Sequence, residues 1–385
     1  MHHPALSSAA ITTLSEIETP FVAIDRGKLT TNIGKAAAIA RDAGIALRPH
    51  IKTHKSLAIT RLQTAAGAIG ITSAKSEEAE VFLRGGVRSV TLAHPLIGLE
   101  KIGRLVRAAT ETGSEVRFIA DSLTGIEALG VSARGSGKTL PVFLKVDVGL
   151  GRCGVAPESD AARQLAQEIA GTAGLKLQGL LAHAGHAYGA GTAAGVSAVA
   201  RAERETMTGL AERLRKAGLD VPEVSVGSTP TLLAHGGFAG LTEIRPGNYV
   251  FLDLTQVALG LAGLADVALS VVATVVSRNA THAIIDAGSK VLSSDRGPHG
   301  SDSLKGFGLA FPLDGAGDAA GMTVVKLSEE HGFVSHGGRA PAIGTRLRVF
   351  PNHACVVANL ARSLWVHDGE GRVEDWPVDA RACVH

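Results

Sequence analysis

The stretch LPVFLKVDVGLGRCG, at residues 140–154, indicates the fold of this chain. It begins as a short apolar run and ends in a loop that contains three glycines and an arginine. The run is typical of a buried β-strand, and the glycines are typical of the loop that follows one. The same arrangement of an apolar run and a polar loop recurs along most of the chain.

Short apolar runs alternate with segments of helical periodicity from residue 21 to residue 251. The runs are FVAID, ALRPHIK, AIGIT, SVTLAHP, EVRFIAD, LPVFLKVDV, LQGLLAHAG, EVSVGST and EIRPGNYVF. Segments such as 76–83, 100–112 and 198–217 lie between them and carry apolar residues at three- and four-residue spacing. This alternation predicts a parallel sheet, and about eight such units suit a closed (β/α)8 TIM barrel. Nine runs are one too many, so we expect one terminal run to belong elsewhere.

The pattern changes after residue 255, where strand-like runs are joined by glycine-rich or polar links without a long helix. These runs lie at 269–276, 282–286, 322–327, 346–350, 354–358 and 363–367. We therefore predict an α/β protein with a (β/α)8 barrel over residues 21–255 and a mostly-β domain over residues 256–385, which residues 1–20 join.

Composition excludes several classes of protein. Lysine plus arginine (38) nearly balances aspartate plus glutamate (36), and the basic residues are scattered, which argues against a nucleic-acid partner. Three distant cysteines do not form a disulfide framework, and the N-terminus lacks the layout of a signal peptide, so we expect a cytoplasmic protein. Residues 257–276 carry a single charge, but two glycines and crowded β-branched residues favour buried strands over a membrane span.

Polar residues follow five of the predicted strands, at the end of the barrel where reacting groups lie. They are Lys52 after the second run, Asp147, Gly149 and Arg152 after the sixth, His183, His186 and Tyr188 after the seventh, residues 227–229 after the eighth, and residues 245–249 after the last. Any one of them could be an ordinary polar loop residue. Their recurrence at five strand ends favours a functional site.

Two glycine loops are candidates for binding an anion. VGSTPT (226–231) places backbone N–H groups and two hydroxyls at a strand-to-helix passage, which suits a phosphate, although a simple capped turn has the same sequence. IRPGNYV (244–250) adds a second glycine loop and a tyrosine that could reach the same phosphate. GLGRCG (149–154) also matches a dinucleotide-binding pattern, but no ribose-binding acid ends a strand about twenty residues further on.

PNHAC (351–355) places His353 and Cys355 two positions apart in a strand-like run, so both side chains should point to one face. An imidazole and a thiolate form a half-site that suits Zn²⁺, completed by water or substrate, as in a catalytic zinc site. A core cysteine beside a surface histidine remains the alternative.

Seven motifs in this order resemble the alanine-racemase-like, fold type III pyridoxal-phosphate enzymes. The motifs are RPHIKTHKS (48–56), KVDVGLGRCGV (145–155), AHAGHAYG (182–189), VGSTPT (226–231), RPGNYVF (245–251), DAGSKVLS (286–293) and PNHAC (351–355). Within this fold type the chain is most similar to the D-serine dehydratase and D-threonine aldolase branch. D-Threonine aldolases tend to carry histidine-x-aspartate at the metal, whereas this chain has histidine-x-cysteine, as the D-serine dehydratases do.

The resemblance implies a homodimer that binds pyridoxal 5'-phosphate, with each active site near the partner's β domain, and it implies roles for single residues. Lys52 resembles the Schiff-base lysine, with Lys55 as the competing candidate, and His353 with Cys355 resemble the pair that binds Zn²⁺ or another divalent metal such as Mn²⁺. By the same resemblance, Arg152 lies near the phenolic oxygen of the cofactor, and His183 and Tyr188 lie beside its ring. Arg245 has the position of the racemase arginine that faces the pyridine nitrogen. The residues at the phosphate are Gly227, Ser228, Thr229, Gly247, Asn248 and Tyr249. Racemases use a tyrosine of the partner subunit as a second base, and the two tyrosines of this chain both lie in barrel motifs, which argues against racemization.

These features predict a lyase for small D-β-hydroxy amino acids, with D-serine dehydratase as the leading hypothesis. Lys52, Tyr188 and His183 are the predicted catalytic residues: Lys52 would remove the Cα proton, and a metal held by His353 and Cys355 would assist loss of the β-hydroxyl. Burial and neighbouring positive charge should lower the pKa of the Lys52 amine. The alternatives are a D-threonine aldolase, a 3-hydroxyaspartate aldolase or dehydratase, and a non-catalytic pyridoxal-phosphate carrier.

Overall fold

The computed structural model describes residues 6–234, 236–297, 304–315 and 321–385. Its first sheet has eight parallel strands in the order β2-β9-β8-β7-β6-β5-β4-β3. A parallel bridge between His50 and Thr72 connects the two ends of this order. The strands therefore close into a barrel, and the predicted fold class is confirmed.

The barrel strands are β2 (Ala46–Leu47), β3 (Ile71–Ser73), β4 (Ser89–Leu92), β5 (Glu115–Ala120), β6 (Leu140–Lys145), β7 (Leu175–Leu181), β8 (Glu223–Val226) and β9 (Glu243–Ile244). The helices of this part of the chain are α2 (Arg26–Asp42), α3 (Leu57–Ala65), α4 (Ser76–Arg84), α5 (Leu99–Thr112), α6 (Leu123–Ser136), α7 (Asp160–Gly171), α8 (Ala193–Lys216), α9 (Thr229–Leu233) and α10 (Leu254–Ala258). The apolar faces of α4 to α8 pack against the barrel strands in one continuous core, because their apolar residues recur at helical spacing.

The second sheet has nine strands in the order β11-β14-β13-β12-β15-β10-β1-β16-β17, and β10 also pairs with β11. Six of its strands thus form a closed antiparallel ring, from which β1, β16 and β17 extend. The strands are β1 (Phe21–Asp25), β10 (Leu269–Arg278), β11 (His282–Ile285), β12 (Gly308–Pro312), β13 (Met322–Leu327), β14 (Gly332–Ser335), β15 (Arg346–Pro351), β16 (Ser363–His367) and β17 (Val373–Pro377). Three short helices accompany them: α1 (Ser8–Leu14), α11 (Ser289–Leu292) and α12 (Ala354–Leu360).

Two sequence-based expectations are wrong in detail. FVAID is the surplus ninth run: it forms β1 and pairs with β10 and β16 of the second sheet, although the predicted boundary at residue 21 places it in the barrel. The run 354–358 lies in helix α12 instead of a strand. Ala354, Val357 and Ala358, at three- and four-residue spacing, form the buried face of this helix. The other five predicted runs of the second domain are strands.

The remaining expectations for this region are partly outside the described residues. Residues 1–5 of the predicted N-terminal addition are not described, while Leu14 packs with Phe21, Val272 and Leu313 of the second domain. The domain boundary at residue 255 stays a prediction. The second part of the apolar stretch 257–276 lies in β10. No helix in the described parts of the chain is long and apolar enough to cross a membrane.

A buried ionic network lies inside the barrel, among side chains of β5, β8 and β9 and of Arg48, which directly follows β2. Glu243 Oε2 accepts hydrogen bonds from Arg48 Nε (2.6 Å) and Arg117 Nη1 (3.3 Å), and Ser225 Oγ donates to Glu243 Oε1 (2.5 Å). Burial alone would raise the pKa of Glu243, but Arg48, Arg117 and Arg245 together hold it below its usual value. Glu243 therefore stays charged inside the barrel, and Arg117 also pairs with a second carboxylate, that of Glu223.

We expect Glu243→Ala to destabilise the fold by about 3–5 kcal/mol, because it leaves the buried guanidinium group of Arg48 without its carboxylate partner. Urea unfolding monitored by circular dichroism measures this loss. Glu205→Ala is the matched control, since Glu205 is exposed and pairs with Arg204 at the surface, and it should change stability by less than about 1 kcal/mol. Equal effects of the two variants would contradict the role of the network.

Candidate active site

A cavity of about 210 Å³ opens at the carboxyl ends of the barrel strands. The predicted residues that line it are Lys52, Arg152, His183, Tyr188, Gly227, Ser228, Thr229, Arg245, Gly247, Asn248, His353 and Cys355. Residues of both domains therefore share one cavity. Six further residues line the cavity: His50, Thr53, Ala93, Lys145, Leu181 and Asp295.

Lys52 lies in a single 3₁₀ turn, Ile51–Thr53, that follows β2, the first strand of the barrel. The strand ends at Leu47, so Lys52 does not close it directly as the sequence suggests. Its side chain is exposed to the cavity, and the protein atoms around the amine desolvate it. This desolvation lowers the pKa of Lys52, and the charge of Arg152 lowers it further, against the opposing effect of Cys355 and Glu78. A lysine with a lowered pKa is nucleophilic at a lower pH than an exposed one.

The competing lysine has a different environment. Lys55 is buried, and its Nζ lies 3.8 Å from Glu78 Oε1 and donates to the Cys383 carbonyl (3.2 Å). It does not line the cavity. The geometry therefore favours Lys52 over Lys55 as the reactive amine.

His183 and Tyr188 come from the loop after β7, which contains a 3₁₀ turn at Gly185–Gly189. His183 Nδ1 lies 2.9 Å from the Gly227 carbonyl, so Nδ1 carries the proton and donates, and Nε2 is the unprotonated nitrogen. Burial lowers the pKa of His183 and raises that of Tyr188. At neutral pH the site thus contains a neutral imidazole and a protonated phenol.

The two glycine loops pack closely against the turn that carries Lys52 and against β9. A Cβ atom on Gly227, which has φ of +125°, would lie 2.7 Å from Ile244 Cγ1, and one on Gly247 would lie 3.0 Å from the His50 carbonyl. Ser228 and Thr231 form the reciprocal hydrogen bonds of a capping box. The capped-turn interpretation of VGSTPT is therefore confirmed, and phosphate binding at this turn stays a prediction.

Tyr249 is the one predicted cofactor residue that lies away from the cavity wall, although the structure describes all of them. Its hydroxyl accepts a hydrogen bond from Gln63 Nε2 (2.9 Å), and its ring is fully buried. Its backbone N–H donates to Thr229 Oγ1 (2.9 Å). Tyr249 thus positions the loop, and the expectation that its side chain reaches the phosphate is wrong.

The glycine-rich loop after β6 is built around an internal carboxylate. The backbone N–H groups of Gly149, Leu150 and Gly151 all donate to Asp147, and that of Gly154 donates to Asp121 Oδ2 (2.8 Å). These are the groups that a dinucleotide pyrophosphate would need. The loop instead presents Arg152 to the cavity, which argues against the dinucleotide alternative.

Two further cations line the cavity. Arg245 donates to Ser225 Oγ and the Ala182 carbonyl, and burial lowers its pKa to about 10. Lys145, at the end of β6, donates to the Val146 carbonyl (3.1 Å), and burial lowers its pKa to about 8. The sequence signal for Lys145 is its place inside the apolar run LPVFLKVDV.

His353 and Cys355 lie at the start of α12, after β15 has ended. They are therefore not two residues of a strand, as their sequence suggests, but the helical turn still places both on the cavity. Cys355 Sγ lies 3.2 Å from Thr53 Oγ1, in the turn that carries Lys52. His353 Nδ1 lies 2.8 Å from Asp295 Oδ2.

The charges of this pair suit a metal. Burial works against both ionised forms, yet the Cys355 thiolate and Asp295 raise the pKa of His353, and His353 lowers the pKa of Cys355. A thiolate and an imidazole are borderline-soft donors of the kind that Zn²⁺ selects. Among the described residues no group of three or more histidine, cysteine or acidic side chains forms a metal cage. The pair is thus a two-residue site with open positions.

Asp253 connects this pair to the barrel, and sequence reasoning missed it. Its Oδ2 accepts hydrogen bonds from Asn248 Nδ2 (2.7 Å) and from the backbone N–H of Ala354 (3.0 Å). Thr255 Oγ1 donates to the Asn352 carbonyl (2.7 Å) beside it. These bonds fix the turn at His353 relative to the loop at Asn248.

Comparisons with known proteins agree with this architecture. The N-terminal domain family of alanine racemase matches residues 24–255, and the serine dehydratase domain family matches residues 268–367. The chain is 35% identical to D-threo-3-hydroxyaspartate dehydratase of Delftia sp. (strain HT23), over 94% of this chain and 98% of that protein. It is 31% identical to 3-hydroxy-D-aspartate aldolase of Paracoccus denitrificans (95% and 93%) and 27% identical to D-serine dehydratase of Dictyostelium discoideum (94% and 96%).

Solved structures with the same architecture include two mutants of D-threo-3-hydroxyaspartate dehydratase. One is a cysteine-to-alanine mutant in the metal-free form, with a TM-score of 0.88, 34% identity and coverage of 95% of this chain and 98% of that one. The other replaces a histidine two positions earlier and has a TM-score of 0.87, 34% identity and coverage of 95% and 96%.

We expect Lys52→Ala to prevent covalent attachment of pyridoxal phosphate, because the other amine that lines the cavity, that of Lys145, is buried and donates to the Val146 carbonyl. Borohydride reduction followed by peptide mass spectrometry measures the attachment. The wild-type protein and Lys55→Ala should carry the pyridoxyl group on the peptide that contains residue 52. Attachment that persists in Lys52→Ala and disappears in Lys55→Ala would reverse the assignment.

Proposed function

We propose that this chain, which belongs to the fold type III family that joins an alanine racemase N-terminal domain to a serine dehydratase domain, dehydrates D-3-hydroxy amino acids. It is a pyridoxal-phosphate-dependent lyase that acts on D-hydroxy amino acids. The observation that carries the dehydratase proposal is the position of His353 and Cys355, which face the same cavity as Lys52.

The cavity fits pyridoxal phosphate by the chemistry of its walls. It combines an amine of lowered pKa, the cations Arg152 and Arg245, and the close-packed glycine loops at Gly227 and Gly247. When bound, the cofactor supplies an electron sink for negative charge at the substrate's Cα. Lys52 would hold it covalently, and the loops at residues 227–229 and 247–248 would hold its phosphate.

His353 and Cys355 fit a divalent metal, for which we propose Zn²⁺ or a similar ion such as Mn²⁺. His353 uses Nδ1 toward Asp295, so its Nε2 is the nitrogen that would bind the metal together with Cys355 Sγ. The bound metal would act as a Lewis acid for the substrate's β-hydroxyl, which is otherwise a poor leaving group. The solved dehydratase mutants support this proposal, because they replace a cysteine and a histidine with the same order and spacing.

The residues of the chain can perform the proton transfers of an elimination. The neutral amine of Lys52 takes the Cα proton, and hydroxide then departs from Cβ. Tyr188, whose raised pKa keeps its phenol protonated, can donate a hydrogen bond to the departing oxygen, and the proton that Lys52 has taken leaves with the hydroxide as water. The substrate loses one water and the enamine product takes one up on hydrolysis, so D-serine yields pyruvate and ammonia.

Two substrates are the leading candidates. D-Serine is the expectation from the sequence motifs, and the histidine-x-cysteine pair supports dehydration rather than aldol cleavage. D-threo-3-Hydroxyaspartate is the second candidate, because the dehydratase of that substrate is 35% identical to this chain over nearly its whole length. The homodimer and cytoplasmic location are further proposals.

Incubation of the holoenzyme with D-serine, D-threo-3-hydroxyaspartate and D-threonine tests the reaction. We expect a keto acid and ammonia in equal amounts, because the site is suited to loss of the β-hydroxyl. The keto acids are measured with a coupled dehydrogenase and the amino acids by chromatography. Glycine with an aldehyde as the main products would show an aldolase instead, and no product from any substrate would favour a cofactor carrier.

We expect Asp295→Asn to weaken Zn²⁺ binding by about 10–100-fold, because it removes the carboxylate that orients His353. His353→Ala and Cys355→Ala should weaken it further. Competition with a chromophoric chelator measures the affinity, and Glu370→Gln, in an exposed carboxylate of the second domain, is the matched control. Unchanged affinity in His353→Ala and Cys355→Ala would contradict the metal site.

A further inference from the structure

The chain just after Lys52 has an unusual backbone. Lys55 adopts φ of +51°, a left-handed conformation that residues other than glycine seldom adopt. The residue is buried, with only 6% of its surface accessible. A buried cation in a disfavoured conformation three residues after the reactive amine requires strong local interactions to hold it.

The Lys55 ammonium has two partners, from different parts of the chain. Glu78 on α4 provides a carboxylate oxygen at 3.8 Å, and the Cys383 carbonyl near the end of the chain accepts a hydrogen bond at 3.2 Å. Glu78 is itself fully buried, and its other oxygen accepts from Ser73 Oγ (2.8 Å) and the Ala74 N–H (2.6 Å). Lys55 therefore provides the positive charge for a buried carboxylate.

The segment that contains Cys383 is attached to the same loop by two further bonds. The Ala380 N–H donates to the Lys55 carbonyl (3.1 Å), and Asp379 Oδ2 accepts from the Leu57 N–H (2.7 Å) at the start of α3. Ala380 is fully buried in the barrel core. The loop from Lys52 to Leu57 is thus held on one side by residues 379–383 and on the other by Glu78.

Glu78 also acts on Lys52 through its charge. The charged or titratable groups that influence Lys52 are Glu78, Cys355, Arg152, His50 and His183. Glu78 and Cys355 are the two anions among them. A change in the net charge of the Lys55–Glu78 pair should therefore change the pKa of the Lys52 nitrogen.

We propose that Lys55 is a positioning residue for Lys52: its ammonium, held between the Glu78 carboxylate and the Cys383 carbonyl, fixes the turn that carries Lys52 and neutralises the buried anion behind it. The proposal rests on Lys52 as the residue that attaches the cofactor. It does not depend on which substrate the enzyme uses.

The sign of the electrostatic effect follows from the charges. Lys55→Met leaves Glu78 without its cation, so Glu78 stabilises a positive charge on the Lys52 nitrogen more strongly. The pKa of that nitrogen should rise, because an opposite charge nearby favours the charged form. Glu78→Gln removes the anion and should have the opposite effect. Lys55→Arg keeps the charge and should resemble the wild-type protein.

The test is a pH titration of the absorbance of pyridoxal phosphate bound to the holoenzyme, without substrate. We expect the midpoint to rise by about one pH unit in Lys55→Met and to fall in Glu78→Gln. The double variant should return toward the wild-type midpoint. Thermal unfolding is recorded in parallel, because a purely structural role would lower the melting temperature and leave the midpoint unchanged.

A midpoint that does not move in Lys55→Met overturns the proposal. If Lys55→Met does not fold, Glu78→Gln decides alone: a lower midpoint supports the proposal, and an unchanged one overturns it. Failure of the proposed enzyme function is distinguishable, since the wild-type titration requires only bound cofactor. A wild-type protein that binds no cofactor at Lys52 would instead refute the site on which both proposals depend.

Discussion

The contact between Thr53 and Cys355 is the constraint on which the site depends. Thr53 Oγ1 lies 3.2 Å from Cys355 Sγ, and this contact joins the turn that carries Lys52 to the first turn of α12. Thr53 and Cys355 are 302 positions apart in the chain, and the strands that precede them, β2 and β15, lie in different sheets. Their contact brings the amine of Lys52 and the pair of His353 and Cys355 to one cavity. Neither the barrel nor the β domain contains both parts alone.

Buried polar bonds maintain this contact. Asp253 is fully enclosed, which opposes its charged form and raises its pKa, yet it accepts bonds from Asn248 and from the Ala354 N–H. A buried carboxylate is tolerated only when donors surround it. The same condition holds for Glu243 inside the barrel and for Glu78 behind Lys52. Burial of each of these acids costs free energy. Asp253 holds the turn at His353, Glu243 holds Arg48 inside the barrel, and Glu78 holds the loop that begins at Ala74.

The sequence predicted the fold and most of the cavity, because strand ends of a parallel barrel meet at one edge whatever their loops do. Lys52, His183 and Arg152 were identified from their position after apolar runs. Asp253 was missed because its partner Ala354 lies about a hundred residues away, and no local pattern shows such a contact. Tyr249 was misassigned because a motif indicates a residue's place in the chain but not the direction of its side chain.

Phosphorus NMR of the holoenzyme loaded with Co²⁺ tests whether the metal bound by His353 and Cys355 shares one cavity with the cofactor. Paramagnetic Co²⁺ at His353 and Cys355 should broaden the resonance of the cofactor phosphate, whereas diamagnetic Zn²⁺ should not. The broadening should disappear in Cys355→Ala, which keeps the phosphate loops intact. A phosphate line that is equally sharp with Co²⁺ and Zn²⁺ in the wild-type protein would contradict the account.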